Sequence, residues 1–517
     1  MTPGPTPGAP LPEGHARRLA TGSLVQQMSQ VTGLLAMLLI LTLLARRLSL
    51  TELGVYGILS SLAGYLLVIQ NAIAGAALKA MSGALSDADR AGAFSTAVAL
   101  YLAAGAATGV LVALIGCGVT LGLDLGHGLE RQGLIGAALI GVVTAVGFPA
   151  TAYRDAMRAS QLFTRTAALE IVGLIVYACL VLALVLAGAP LSVVIAASGT
   201  IPLLAGSLCL MAVKITRLPY AFSPARIDRA QAHEMLRLGG YLGVTELAAV
   251  VIYALDRVIL GLFRSAATVG LYEGPVRVHN LIRAVNGALS VTVLPTASSY
   301  VAGGDDRRLR ELVVRGSRYT LALIVPLTVT AMVLGGDILA VWLGDEFREG
   351  GAALAILVSY WLASASLGVI SPLLVAAGRA RKVAQYAWAV ALMNLVLSLA
   401  LTPWLGLVGV TLGTTIPYLI VYPLVLRLAL SIVPLRVGEL ARESWLPAYS
   451  LGIVLAVLLG VAELTLDLGH LLPLAAVALA GLAGYWAAYF VLWMHPDERR
   501  LVRDVARGPF RRPPAAE

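Results

Sequence analysis

The chain has 517 residues, 59% hydrophobic and 13% charged, with a mean hydropathy of +0.87 and a formal net charge of +9. Soluble domains carry about 25% charged residues, so the composition excludes an ordinary soluble enzyme and describes an all-α protein that crosses a membrane many times; a membrane barrel would show short alternating strands instead. Cys117, Cys179 and Cys209 stand alone in apolar runs, which gives neither a disulfide framework nor a metal motif.

Residues 1–23 are rich in proline and glycine and read as a disordered cytoplasmic tail. The first apolar run, 24–45, is too long for the core of a signal peptide and is expected to be an uncleaved span. A bilayer takes about 20 apolar residues. About fourteen stretches qualify: 24–45, 54–78, 93–121, 133–153, 166–187, 191–213, 238–262, 274–299, 316–335, 351–377, 383–402, 405–430, 446–465 and 471–494. With both termini in the cytoplasm, cytoplasmic segments hold 29 Lys and Arg. Outer loops then hold five, Arg46, Arg47, Arg131, Arg264 and Arg348. That bias sets the orientation of a multi-pass protein in the plasma (inner) membrane.

The halves repeat. A shift of 215–216 residues carries Gly54-Val55-Tyr56 onto Gly270-Leu271-Tyr272, Asn71 onto Asn286, and Thr200-Ile201-Pro202 onto Thr415-Ile416-Pro417. Six spans return the chain to its starting side, so the copies are parallel, and the substrate site of such a pair is expected between them. The expected plan is a six-helix lobe over 24–215, a cytoplasmic linker over 216–237, a second six-helix lobe over 238–430, two extra spans over 431–494 and a basic cytoplasmic tail over 495–517. The arginines of that tail are expected to anchor on anionic lipid.

Charges inside the membrane mark the candidate site. A lone charge at the bilayer centre costs about 2.5–3.5 kcal/mol on insertion scales, so such residues face protein or water. In the eighth span Arg277, Asn280 and Arg283 are spaced three apart and cover an arc of about 120°. Ala284 and Gly287 fall within that arc, whereas His279 and Asn286 point to the other side. Arg283 lies about 13 Å deep at about 1.5 Å per residue. A guanidinium fork matches phosphate oxygens, so Arg283 and Arg277, with Asn280 and Arg257 of the seventh span, are candidate ligands for a phosphate-bearing substrate; an internal ion pair is the competing reading. In the seventh span Glu246, Tyr253 and Arg257 share a face and Asp256 is turned away by about 100°. An Asp256–Arg277 bridge between these neighbouring helices is plausible, with a structural or gating role favoured over substrate contact. Glu246 could be a sodium or proton site, or the partner of an arginine. In the first half Gln26 and Gln30 form a stripe, and Gln70 and Asn71 lie in the second span. These uncharged groups fit interhelical hydrogen bonds or a cavity wall.

Other chemistry is absent from the pattern. No GxxxxGK[ST] loop is present. No polar segment is long enough for a nucleotide or glycosyltransferase domain, and the basic loops report orientation rather than nucleic-acid binding. No cofactor and no enzymatic activity are expected.

Several motifs together resemble the polysaccharide transporter branch of the multidrug/oligosaccharidyl-lipid/polysaccharide (MOP) exporter superfamily. They are Leu53-Gly-Val-Tyr-Gly57, Asp256-Arg-Val-Ile-Leu-Gly261, Val269-Gly-Leu-Tyr272, Arg277, Gly304-Asp-Asp-Arg-Arg-Leu309, Arg318, Pro326 and Val341-Trp-Leu-Gly-Asp-Glu-Phe347. The resemblance implies a fold of two six-helix lobes, as in multidrug exporters of the MATE type, in a V shape that rocks between inward-open and outward-open states. It implies flipping of an undecaprenyl-diphosphate-linked oligosaccharide between leaflets, with Arg277 and Arg283 on the diphosphate and a glycan polymerase as a possible partner. The lipid II branch of the superfamily carries deep first-lobe arginines. Here Arg46 and Arg47 lie only at that lobe's outer edge. A cation-coupled drug or metabolite exporter on the same fold would centre on carboxylates and aromatics. A membrane polymerase or ligase would need a large outer loop, and the longest, 335–350, is short.

Overall fold

The computed structural model describes residues 32–290, 293–494 and 498–500, and every regular element among them is helical. In chain order the helices are α1 Thr32–Ala45, α2 Leu50–Gly83, α3 Asp87–Gly122, α4 His127–Ala159, α5 Phe163–Leu186, α6 Leu191–Ser198 and α7 Ile201–Ile215. Then come α8 Arg229–Phe263, α9 Ala266–Ser290, α10 Val293–Ala302, α11 Asp306–Val333, α12 Gly335–Leu343, α13 Gly351–Ser364 and α14 Leu367–Ala376. The last are α15 Ala380–Leu405, α16 Leu407–Leu430, the short α17 Val437–Leu440, α18 Leu446–Thr465 and α19 Leu471–Leu492.

Among the described residues nine helices are long and apolar enough to cross a membrane. Counting the bent pairs α6–α7 (52°) and α13–α14 (47°) as one span each raises the number to eleven. The predicted first span lies partly outside the described residues, and α8 and α9, which carry the charges of the predicted seventh and eighth spans, are not among the nine. The chain is a multi-pass α-helical membrane protein.

Local signals explain where helices start. Ser49 and Glu52 cap α2 reciprocally, as do Ser86 and Asp89 for α3. Each pair satisfies two backbone amides that the first turn leaves open. Asp228 and Asp305 do the same with one bond each for α8 and α11.

The chain divides into two compact units, Met1–Glu273 with Ser398–Gly406, and Gly274–Leu397 with Leu407–Glu517. In the first unit, small residues let helices approach backbone to backbone. A Cβ added at Gly109 on α3 would strike the Gly141 carbonyl oxygen of α4, and one at Gly141 would strike that of Gly109. Gly206 on α7 meets the Ala150 backbone of α4 in the same way. Lipid tails are as apolar as leucine, so close van der Waals packing of this kind holds membrane helices together. Gly109→Leu is therefore expected to force α3 from α4 and to lower the melting temperature in detergent sharply, overpacking costing about 1–3 kcal/mol or more. Gly118→Leu on the same helix serves as the control, since a Cβ there meets nothing within 4 Å, and its melting temperature should match the wild type.

In the second unit α11 packs on α13 and α18, and α13 on α16. One end of this unit is tied by ion pairs from Arg310 on α11 to Glu439 and Glu443, at 3.3 and 3.1 Å. Ser444 donates a hydrogen bond to the Val314 carbonyl there (2.8 Å).

Candidate functional site

The candidate site grows from the α8–α9 hairpin. Arg264 stands at its turn and donates to the carbonyls of Thr402 (3.3 Å) and Pro403 (3.0 Å). These belong to the last turn of α15, where the Thr402 carbonyl also accepts from the Gly406 amide at 2.9 Å. Arg264 therefore fastens the hairpin to the end of that helix.

Inside the hairpin, neighbouring residues of α8 meet neighbouring residues of α9. Tyr272 donates its hydroxyl hydrogen to Asp256 Oδ2 at 2.8 Å. Arg257 donates from Nε to Glu273 Oε1, with Nη2 to Oε2 at 3.4 Å. Asp256, Arg257 and Glu273 are 3%, 6% and 1% exposed, so this is a closed polar layer rather than an open cavity wall. The sequence reading placed Arg257 with the phosphate-binding arginines; the structure gives its guanidinium a carboxylate of its own.

Helix α2 makes room for this layer. A Cβ added at Gly54 would overlap the Ala266 carbonyl, and one at Gly270 would overlap that of Leu50. A Cβ at Gly57 would lie 2.6 Å from Glu273 Oε1. Gly54 and Gly57 are the counterparts of Gly270 and Glu273 under the 216-residue shift. The repeat-equivalent turns thus meet each other, and the first carries glycine where the second carries the carboxylate.

Beyond Glu273, α9 shows two faces in the second unit. His279 and Asn286, seven residues apart, are 2% and 6% exposed. His279 Nε2 lies 2.7 Å from the Tyr360 hydroxyl on α13. Tyr360 stacks on Tyr418 at 4.3 Å between ring centres. Asn286 packs where a Cβ on Gly368 of α14 would fall, at 3.2 Å. This face holds α9 on its neighbours. The other face carries Arg277, Asn280 and Arg283, all half-buried, with exposed Gly287 one turn beyond Arg283. A Cβ at Gly287 meets nothing within 4 Å, so there is room beside that arginine. Arg277 and Arg283 are about 9 Å apart along the axis at about 1.5 Å per residue.

Solved structures share this architecture. An inward-closed lipid II flippase MurJ superposes with a TM-score of 0.67 over 93% of this chain and 99% of that one, at 15% identity. An inward-facing MATE-family multidrug transporter of the MOP superfamily superposes with a TM-score of 0.63, covering 82% of this chain and 99% of that one, at 12% identity. The chain has the MOP fold. Residues 127–350 of this MOP-fold chain match the family of polysaccharide biosynthesis proteins. Two proteins of Haloferax volcanii are similar in sequence. The probable flippase AglR is 29% identical over 164 residues, which are 31% of this chain and 34% of AglR. The probable low-salt glycan biosynthesis flippase Agl15 is 21% identical over 216 residues, 42% of this chain and 45% of Agl15. These matches span less than half the length of either relative. Together they support the polysaccharide transporter resemblance read from the motifs.

Glu246 and Tyr253 fall on α8, and their side chains lie outside the described residues. Gln26 and Gln30 lie wholly outside them. On α2, Gln70 is buried and Asn71 exposed, so these neighbours serve different surroundings.

The first unit also holds a polar cluster that the sequence reading missed. Helix α4 runs on to Ala159, past the predicted end at 153, and so keeps Arg154, Asp155 and Arg158 on the helix. Tyr101 of α3 donates to Asp155 Oδ2 at 2.5 Å, and Arg154 Nε lies 3.2 Å from Oδ1. Arg158 pairs with Glu170 of α5 at 2.6 Å. Tyr101 is fully buried and Asp155 is 1% exposed. Tyr101→Phe would leave one carboxylate oxygen buried without its donor. It is expected to cost about 1–3 kcal/mol, read as a drop in the detergent unfolding midpoint.

Proposed function

We propose that this MOP-fold protein is a flippase. It moves an undecaprenyl-diphosphate-linked oligosaccharide from the inner to the outer leaflet of the plasma membrane by alternating access, with both termini in the cytoplasm and no covalent chemistry. The reading rests on the polar face of α9. Arg277 and Arg283, both half-buried, stand on one side of α9, with room beside Arg283. A guanidinium fork matches the oxygens of a diphosphate, and a diphosphate and its glycan need a hydrated path, since neither crosses hydrocarbon unaided. The partial similarity to AglR and Agl15, both named as flippases, supports this substrate class over a drug.

The test is translocation in proteoliposomes that hold a fluorescent undecaprenyl-diphosphate glycan, with membrane-impermeant quencher added outside. Protein-dependent exchange of the label between leaflets, faster for the diphosphate lipid than for a neutral glycolipid with the same glycan, is the expected result. Equal rates for the two lipids would overturn the phosphate-centred reading.

A further inference from the structure

We infer a site for one anionic phospholipid at the end of the second unit where α16 gives way to α18. A groove of about 740 Å³ opens there, with an apolar floor built from Leu426, Leu430 and Leu435, and with Trp445 on its wall. Leu426 and Leu430 are four apart on α16 and so form one ridge along it. Arg427 follows Leu426 on α16 and Arg436 follows Leu435 just before α17, and both arginines line the groove together with these apolar residues. Both arginines are exposed, and neither has a carboxylate partner among the described residues. The acidic residues of the same connector, Glu439 and Glu443, are taken by Arg310.

The occupant follows from this chemistry. The groove lies at a membrane face, because it sits where one membrane-spanning helix ends and the next begins. Arg310 on α11 reaches that connector, so the groove shares its face with the arginine-rich start of α11. Apolar volume of this size accepts acyl chain, and pockets of about 300–1,000 Å³ are usual for ligands. A guanidinium pair free of carboxylates at its edge attracts phosphate, which it can hold through bidentate bonds. Tryptophan favours the headgroup level of a bilayer. A basic peptide, such as this chain's own arginine-rich tail, would be repelled. A lipid with a net negative headgroup meets all three requirements at once. The site depends on the protein spanning a membrane and not on the flippase reading.

The full-length protein is purified in detergent and offered equal amounts of phosphatidylglycerol and phosphatidylcholine, and bound lipid is counted by native mass spectrometry. The wild type is expected to retain one phosphatidylglycerol with at least a tenfold preference. Arg427→Gln/Arg436→Gln should lose that preference while eluting as a folded monodisperse species, because both side chains are exposed. Arg307→Gln/Arg308→Gln, exposed in the first turn of α11 and not among the residues lining the groove, should keep it. Three results would overturn the site: preference intact in the groove variant, equal loss in both variants, or wild type that holds the two lipids equally.

Discussion

An Arg283→Ala protein is expected to insert and accumulate as the wild type does, and to flip the diphosphate-linked glycan about 10- to 150-fold more slowly. The range follows from removal of a hydrogen bond to a charged group, about 1.5–3 kcal/mol. Insertion should survive because the change removes a charge and adds none. Arg283→Lys keeps the charge and loses the fork. Partial rescue by lysine would show that geometry contributes beyond charge, and full rescue would show that charge suffices. Gly287→Leu approaches the same site without touching charge. Its side chain would enter the open space beside Arg283, and flipping should fall with both arginines in place. Normal flipping in both Arg283→Ala and Gly287→Leu would remove this face of α9 from the transport path. The measurement is the proteoliposome exchange rate, normalised to protein recovered in the membrane fraction.

The helical plan and the two faces of α9 were legible because both are periodic. A residue every 100° places His279 and Asn286 on one side and Arg277, Asn280 and Arg283 on the other, and the structure buries the first pair against α13 and α14. Depth inside an apolar run also marks a residue as special, which brought out Arg257. Its partner was harder to see. Glu273 lies just before the predicted eighth span, and only the pairing of α8 with α9 brings residue 273 beside residue 257. The same holds for Tyr101 and Asp155, which are 54 residues apart in sequence and 2.5 Å apart in space. Periodicity reveals which face a residue occupies, whereas long-range pairing depends on how helices cross. Glycine is the exception that could have been used. Gly54 and Gly270 were matched as repeat equivalents from sequence, and two glycines at matching positions signal a backbone crossing. The groove at Arg427 and Arg436 gave no comparable signal, because loop arginines are the ordinary mark of orientation.

The second large effect is expected at Glu273. Glu273→Ala would leave Arg257, 6% exposed, without its carboxylate. Removing one partner of a buried ion pair costs about 3–5 kcal/mol, because the remaining charge has lost its compensation. In a chain of marginal stability that is a large share of the total, so little folded protein should survive detergent extraction. Arg257→Met/Glu273→Met should be far milder, since removing both charges removes the desolvation cost as well. Gly57 provides an independent check from another helix. A Cβ there would crowd the Glu273 carboxylate, its nearest neighbour atoms all belonging to that side chain. Gly57→Ala should therefore destabilise the wild type by pushing Glu273 off Arg257, and should cost little once Glu273 is already alanine. Residues in one contact network depart from additivity in this way, by about 0.5–3 kcal/mol. Additive losses in the cycle of Gly57→Ala and Glu273→Ala would mean that Gly57 does not serve the ion pair. Coupled losses would tie the glycine of the first repeat to the carboxylate that stands at its counterpart position in the second.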